Sequence, residues 1–130
     1  MFIPQGKVVR LAGDFFVLRQ ARNPGAAFGI LQGALPFFMI ISAAVIVAAV
    51  GAYLLWARDK PRFYAVGLGL ICAGAIGNIV DRVVFGKVID FIGFSFWPTF
   101  NIADIAIMAG MVTVMAAMVK ETAKNPTGGA

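Results

Sequence analysis

Of the six acidic residues in this 130-residue chain, Asp81, Asp90 and Asp104 fall at the outer end of the apolar segments, whereas Asp14, Asp59 and Glu121 do not. An ionisable side chain at membrane depth marks a candidate functional site, because burying it there is costly. Asp90 lies in Val88-Ile89-Asp90-Phe91-Ile92, apolar on both sides, with no adjacent cation and Lys87 three positions back. That setting favours function over structure. Asp81 adjoins Arg82 and reads as one half of a structural ion pair or as a helix-end residue. Asp104 follows Asn101 by three residues at a helix start, where free N–H groups and the macrodipole favour a carboxylate. Capping explains Asp104 as well as catalysis does. If Asp90 and Asp104 converge, they cannot both ionise readily, and the pair holds one proton near neutral pH. The ionised member then takes a proton from water while the protonated member polarises a carbonyl, and the roles reverse as an amine leaves. This is aspartic proteolysis, with no metal and no covalent intermediate. Gly86 and Gly93 flank Asp90, Pro98 lies in the return, and residues 91–103 are enough chain to bring the two carboxylates together.

Composition removes the competing chemistries. There is no histidine, so Ser-His-Asp catalysis, Cys-His pairs and histidine-ligated zinc are excluded. The single cysteine, Cys72, lies in an apolar run and reads as a small core residue, with no disulfide framework and no CxxC metal site. Ser42 sits in an apolar run without a nearby lysine, which disfavours a Ser-Lys protease. The net charge of +5 does not point to nucleic acid. No basic run is interleaved with exposed aromatics, and membrane proteins concentrate Lys and Arg in cytoplasmic loops.

The elements that must position these residues are membrane spans. The apolar fraction is 61% and the charged fraction 13%, against roughly 45–50% and roughly 25% in soluble domains. So short a soluble chain could not bury that much apolar surface. The reading is a mainly α, polytopic membrane protein with three transmembrane helices, at about 34–57, 63–81 and 101–120. About 20 apolar residues are needed to cross the hydrocarbon core. Tyr53 and Trp56 suit an interfacial belt at the end of the first span. Arg58, Lys60 and Arg62 in one connection, and Lys120 and Lys124 after the last span, place both of those ends in the cytoplasm. The connection 81–100 then faces outside, as do residues 1–32. In that first segment, Val8-Val9-Arg10-Leu11 and Phe15-Phe16-Val17-Leu18 read as two strands joined at Gly13-Asp14, and Asn23-Pro24-Gly25 as a further turn. A small sheet on the outer membrane surface follows. Residues 1–120 form one membrane-embedded domain, and 121–130 a polar, glycine-rich, frayed cytoplasmic tail.

The second span carries small residues in register. Gly69, Ala73 and Gly77 lead to Asp81, and Gly74 leads to Asn78 and Arg82. Small residues let helices approach closely in lipid. A packing face accounts for the glycines but not for its polar end at Asn78, Asp81 and Arg82.

Three blocks resemble the lipoprotein signal peptidases (signal peptidase II). They are Asn23-Pro24-Gly25-Ala26-Ala27-Phe28, Gly77-Asn78-Ile79-Val80-Asp81-Arg82 running on to Val88-Ile89-Asp90-Phe91-Ile92, and Phe100-Asn101-Ile102-Ala103-Asp104. With the spacing of the spans they cover roughly residues 8–120. The resemblance implies an aspartic endopeptidase of the bacterial inner membrane, with its site at the outer, periplasmic face. It would remove signal peptides from prolipoproteins just before a cysteine carrying diacylglycerol. By motif, Asp90 and Asp104 would be the catalytic pair, and Asn23, Asn78, Asp81, Arg82 and Asn101 would position the dyad, substrate or lipid. The implied partners are diacylglyceryl prolipoprotein signal peptides and membrane lipid. No metal, cofactor or nucleic acid is implied, and the chain is taken as a monomer.

Family members have four spans, the first with an Asp and a Lys in a D-x-x-x-K-type motif near its outer end. Met1 to Gly6 is too short for such a span, and Lys7 has no such acid before it. Lys7, Arg10, Arg19 and Arg22 would also be awkward to translocate with no span ahead of them. The expectation is therefore a natural start upstream, and a poorly active or unstable product from the chain as written. The alternatives are a small proton-coupled transporter, with Asp81 or Asp104 as relay, and a structural membrane subunit. Transporters place charges near the midplane and show inverted repeats; this sequence has neither.

Overall fold

The computed structural model describes residues 7–23 and 34–125. Strands β1 (Val8–Ala12) and β2 (Phe16–Asn23) come first, followed by helix α1 (Leu35–Ala52), whose last turn widens into a π-helical turn at Tyr53–Ala57. Helix α2 (Arg62–Phe85), strands β3 (Val88–Phe94) and β4 (Trp97–Phe100) and helix α3 (Ile102–Lys124) complete the chain.

Three helical stretches, Leu35–Ala57, Arg62–Phe85 and Ile102–Lys124, are long and apolar enough to cross a membrane at 23, 24 and 23 residues. At 1.5 Å per residue each spans about 35 Å, close to the hydrocarbon thickness plus its margins. Their surfaces agree. Leu55 is 90% exposed and Val47 72%, an arrangement that water penalises and lipid does not. The protein is a multi-pass membrane protein.

Most of the helix ends have a local cause. Pro36 lies in the first turn of α1, where its missing N–H costs nothing. Helix α2 runs on to Phe85, beyond the expected end near residue 81, because Val83, Val84 and Phe85 continue it until Gly86 closes it. Gly86 has φ 70°, and its N–H donates to the Arg82 carbonyl at 2.9 Å, a left-handed cap that favours glycine. Helix α3 opens on a reciprocal cap between Asn101 and Asp104. It also runs further than expected, to Lys124, so residues 121–124 are helix rather than frayed tail. The reason is a tertiary anchor. Glu121 accepts hydrogen bonds from Lys60 Nζ at 2.6 Å and from Tyr64 Oη at 2.5 Å. Lys60 Nζ also lies 4.8 Å from the centre of the Trp56 ring.

Helix α2 is the middle of the bundle, packed against α1 on one side and α3 on the other. Its approach to α3 depends on glycine. A Cβ on Gly67 would lie 2.8 Å from the Gly110 carbonyl oxygen, and one on Gly110 would lie 2.5 Å from that of Gly67. A Cβ on Gly74 would collide with the Ala103 carbonyl. Within the expected small-residue register, Gly77 packs near Ala103, whereas Gly69 faces open space. The seam follows Gly67 and Gly74, seven residues apart, because close contact with α3 tracks one helix face.

The four strands form one antiparallel sheet in the order β1-β2-β3-β4. The first two strands match the sequence reading, with Gly13 at φ 59° in the turn. The connection after α2, read only as an outer loop, supplies the other two. Ala21 stands opposite Asp90 and Arg22 opposite Ile89. The Pro24-Gly25 part of the expected second turn lies outside the described residues.

Candidate active site

Asp90 enters the site from β3. Alternation along a strand puts residues two apart on one face, and Val88 and Asp90 are both buried, Asp90 at 3% exposure. The start of the strand is held by Asp81: its Oδ2 accepts the N–H of Ile89 at 3.1 Å. Asp81 therefore serves as a helix-end residue that ties α2 to β3. The alternative, an ion pair with Arg82, does not form; the ion pairs among the described residues are Arg10–Asp14 and Lys60–Glu121. Neighbours in sequence on a helix point about 100° apart, which separates the two side chains.

Asp104 enters from the first turn of α3. Its N–H donates to Asn101 Oδ1 at 2.9 Å, and its Oδ2 accepts the Asn101 N–H at 3.2 Å. The capping role is real, yet it uses one carboxylate oxygen. The other, Oδ1, accepts from Asn78 Nδ2 at 3.0 Å. Asn101 Nδ2 in turn donates to Asn78 Oδ1 at 3.0 Å and to Asp90 Oδ1 at 3.2 Å. A continuous path of hydrogen bonds thus runs Asp90–Asn101–Asn78–Asp104, through two buried amides. An amide has two donor hydrogens, and Asn101 spends both on this path while its oxygen caps α3.

Arg82 is half-buried one turn beyond Asn78 and donates from Nη1 to the Asn78 carbonyl at 3.2 Å. Its guanidinium carbon lies over the ring of Phe38, from α1, at 5.3 Å. Asn78, Arg82, Asp90 and Asp104 all line a single cavity of about 980 Å³. Asn101 is buried, and neither it nor Asp81 is among the lining residues. Asn23, at the end of β2, pairs through its backbone with Val88.

The rest of the cavity wall is apolar apart from Thr99. Phe94, Phe96, Trp97 and Phe100 come from the β3–β4 hairpin, and Ile105, Met108 and Val112 from one face of α3. The sequence reading missed these residues. Their mark was a concentration of aromatics between residues 91 and 100 and the i, i+3, i+7 spacing on α3. A polar end carrying two carboxylates, opening onto an apolar trough, suits an extended apolar substrate presented with one polar bond at the aspartates.

A family model for signal peptidase (SPase) II matches residues 2–120. The chain is 35% identical over 125 residues to the lipoprotein signal peptidase of Pelotomaculum thermopropionicum, covering 96% of this chain and 82% of that one. It is 43% identical over 125 residues to the lipoprotein signal peptidase of Desulfitobacterium hafniense, covering 92% and 80%. Its fold matches a bacterial membrane enzyme solved by the in meso method at 2.3 Å, with a TM-score of 0.84 and 33% identity over 98% of this chain and 80% of that one. A second such enzyme, solved at 1.9 Å, matches with a TM-score of 0.80 and 35% identity over 92% and 79%. The chain belongs to the signal peptidase II family of membrane proteases.

Proposed function

We propose that this protein removes signal peptides from diacylglyceryl-modified prolipoproteins by general acid–base catalysis at Asp90 and Asp104. The observation that carries the reading is the hydrogen-bonded path Asp90–Asn101–Asn78–Asp104 at the polar end of an apolar cavity. Two carboxylates in one site share a proton. The ionised member takes a proton from water, whose oxygen attacks the scissile carbonyl carbon. The protonated member meanwhile donates to the carbonyl oxygen. Collapse of the tetrahedral intermediate breaks the C–N bond, and the proton taken from water passes to the leaving amine. Asn78 and Asn101 hold the two carboxylates in register, Asp81 fixes the start of the strand that carries Asp90, and Arg82 supplies positive charge on the cavity wall. Asn23 belongs to the same supporting set.

The reading places the enzyme in the bacterial inner membrane as a single chain, needing no cofactor, metal or nucleic acid, with the sheet and both aspartates at the outer face. There a translocated lipoprotein precursor presents its cleavage site, and the apolar trough receives its apolar parts. The test is cleavage of a diacylglyceryl-modified prolipoprotein in liposomes by the wild type, Asp90→Asn and Asp104→Asn. Each substitution is expected to lower kcat by about 10³-fold or more, the scale of general acid–base catalysis, with the folded protein retained. Cleavage surviving either substitution returns that aspartate to a purely structural role.

A further inference from the structure

Helix α1 contributes no residue to the cavity lining, yet it touches the site at one point. The Arg82 guanidinium lies over the ring of Phe38, 5.3 Å from its centre. Arg82 needs such a support. Its one hydrogen bond among the described residues goes to the carbonyl of Asn78, on its own helix. It forms no ion pair there, although Asp104, Asp90 and Asp81 are all within electrostatic reach. A five-donor fork on a flexible stem is poorly fixed by one bond to its own backbone. An aromatic face within about 6 Å attracts the cation and also sets the plane of the guanidinium. The remaining N–H groups then stay available to the cavity that Arg82 lines. Phe38 is half-buried and its neighbour Phe37 packs edge-on against it at 5.5 Å, so the ring is itself held.

We propose that Phe38 is a positioning residue for the cleavage reaction: it acts through Arg82, keeping the guanidinium against the cavity wall by a cation–π contact. The inference rests on the reading that Arg82 serves the Asp90–Asp104 site.

The test weakens the ring's quadrupole without changing its shape. Position 38 is replaced in turn by 4-fluoro-, 3,5-difluoro- and 3,4,5-trifluorophenylalanine, and kcat/KM for prolipoprotein cleavage is measured beside the thermal midpoint. The expected result is a stepwise fall in kcat/KM reaching about tenfold at three fluorines, with the midpoint unchanged because packing is conserved. Phe38→Trp, with the stronger cation-binding ring, is expected to stay well above Phe38→Leu. A kcat/KM that is flat across the series, or that falls only in step with the midpoint, overturns the inference and leaves the proposed function standing. Prolipoprotein left uncut by the wild-type chain, both as written and extended upstream, overturns the function, and the inference with it.

Discussion

At the scale of single residues, the site is a problem in hydrogen-bond satisfaction. Asn78 and Asn101 are 8% and 5% exposed, and buried amides are costly unless their donors and acceptors are paired. Here the pairing partners are the two carboxylates. The two asparagines differ in what else they do, and that difference can be measured. Asn101 caps α3 as well as bridging the aspartates, whereas Asn78 touches the site through its side chain from mid-helix. Asn78→Ala is expected to lower kcat/KM by about tenfold to hundredfold, the scale of one buried hydrogen bond to a charged group, with a small change in thermal midpoint. Asn101→Ala is expected to cost similar activity and, in addition, about 1 kcal/mol of stability from the lost cap. Cleavage assays paired with thermal unfolding of both variants check this. Equal stability losses would count against the dual role of Asn101.

At the scale of elements, Asp104 can meet Asn78 only because α3 lies almost in backbone contact with α2. Gly67, Gly74 and Gly110 permit that approach, and lipid, as apolar as leucine, supplies little drive beyond such close packing. Gly110→Ala would put a methyl 2.5 Å from the Gly67 carbonyl oxygen and 2.9 Å from the Ile71 nitrogen. Both are backbone atoms, so the helices must separate. The expected outcome is a destabilisation of about 1–3 kcal/mol, with cleavage falling in parallel as Asp104 moves away from Asn78. Gly69→Ala, which meets nothing within 4 Å, is expected to be neutral or slightly stabilising, since alanine is the better helix former. Thermal midpoints of the two variants decide the matter: similar losses in both would mean that helix propensity, not contact, controls this bundle.

At the scale of the whole molecule, the helices alternate in direction. The end of α3 meets the α1–α2 connection through Lys60 and Glu121, and its start meets the end of α2 through Asn78. Arg58, Lys60, Arg62, Lys120 and Lys124 therefore gather at one end of the bundle, opposite the sheet and both aspartates. Applied to those two groups, the bias of Lys and Arg toward cytoplasmic loops supports the proposed orientation, in which Lys7, Arg10, Arg19, Arg22 and Lys87 belong to the outer end. In a Cys72→Ala background, Ser95→Cys in the β3–β4 turn is expected to react with a membrane-impermeant maleimide added outside intact spheroplasts. Asp59→Cys, in the α1–α2 connection, is expected to react only after permeabilisation. The reverse labelling pattern would overturn the proposed orientation of the site.

The sequence by itself determined the features that depend on local composition and order. Long apolar runs without charge can only be buried or placed in lipid, so three spans were legible, along with the Val8 and Phe16 strands. Motif order singled out Asp90, Asp104 and the residues around them. The tertiary structure decided what depends on partners distant in sequence. Strand β3 has an acid in an apolar run, so its strand character shows only when β2 and β4 pair with it. The tail's first turn stays helical because Lys60, from the α1–α2 connection, and Tyr64, from the start of α2, reach Glu121. The choice for Asp81 between an ion pair and a tie to the Ile89 N–H, and the stacking of Arg82 on Phe38, are of the same kind. Periodicity and propensity act over a few residues, whereas these contacts span from eight to more than sixty, and only folding sets which partners meet.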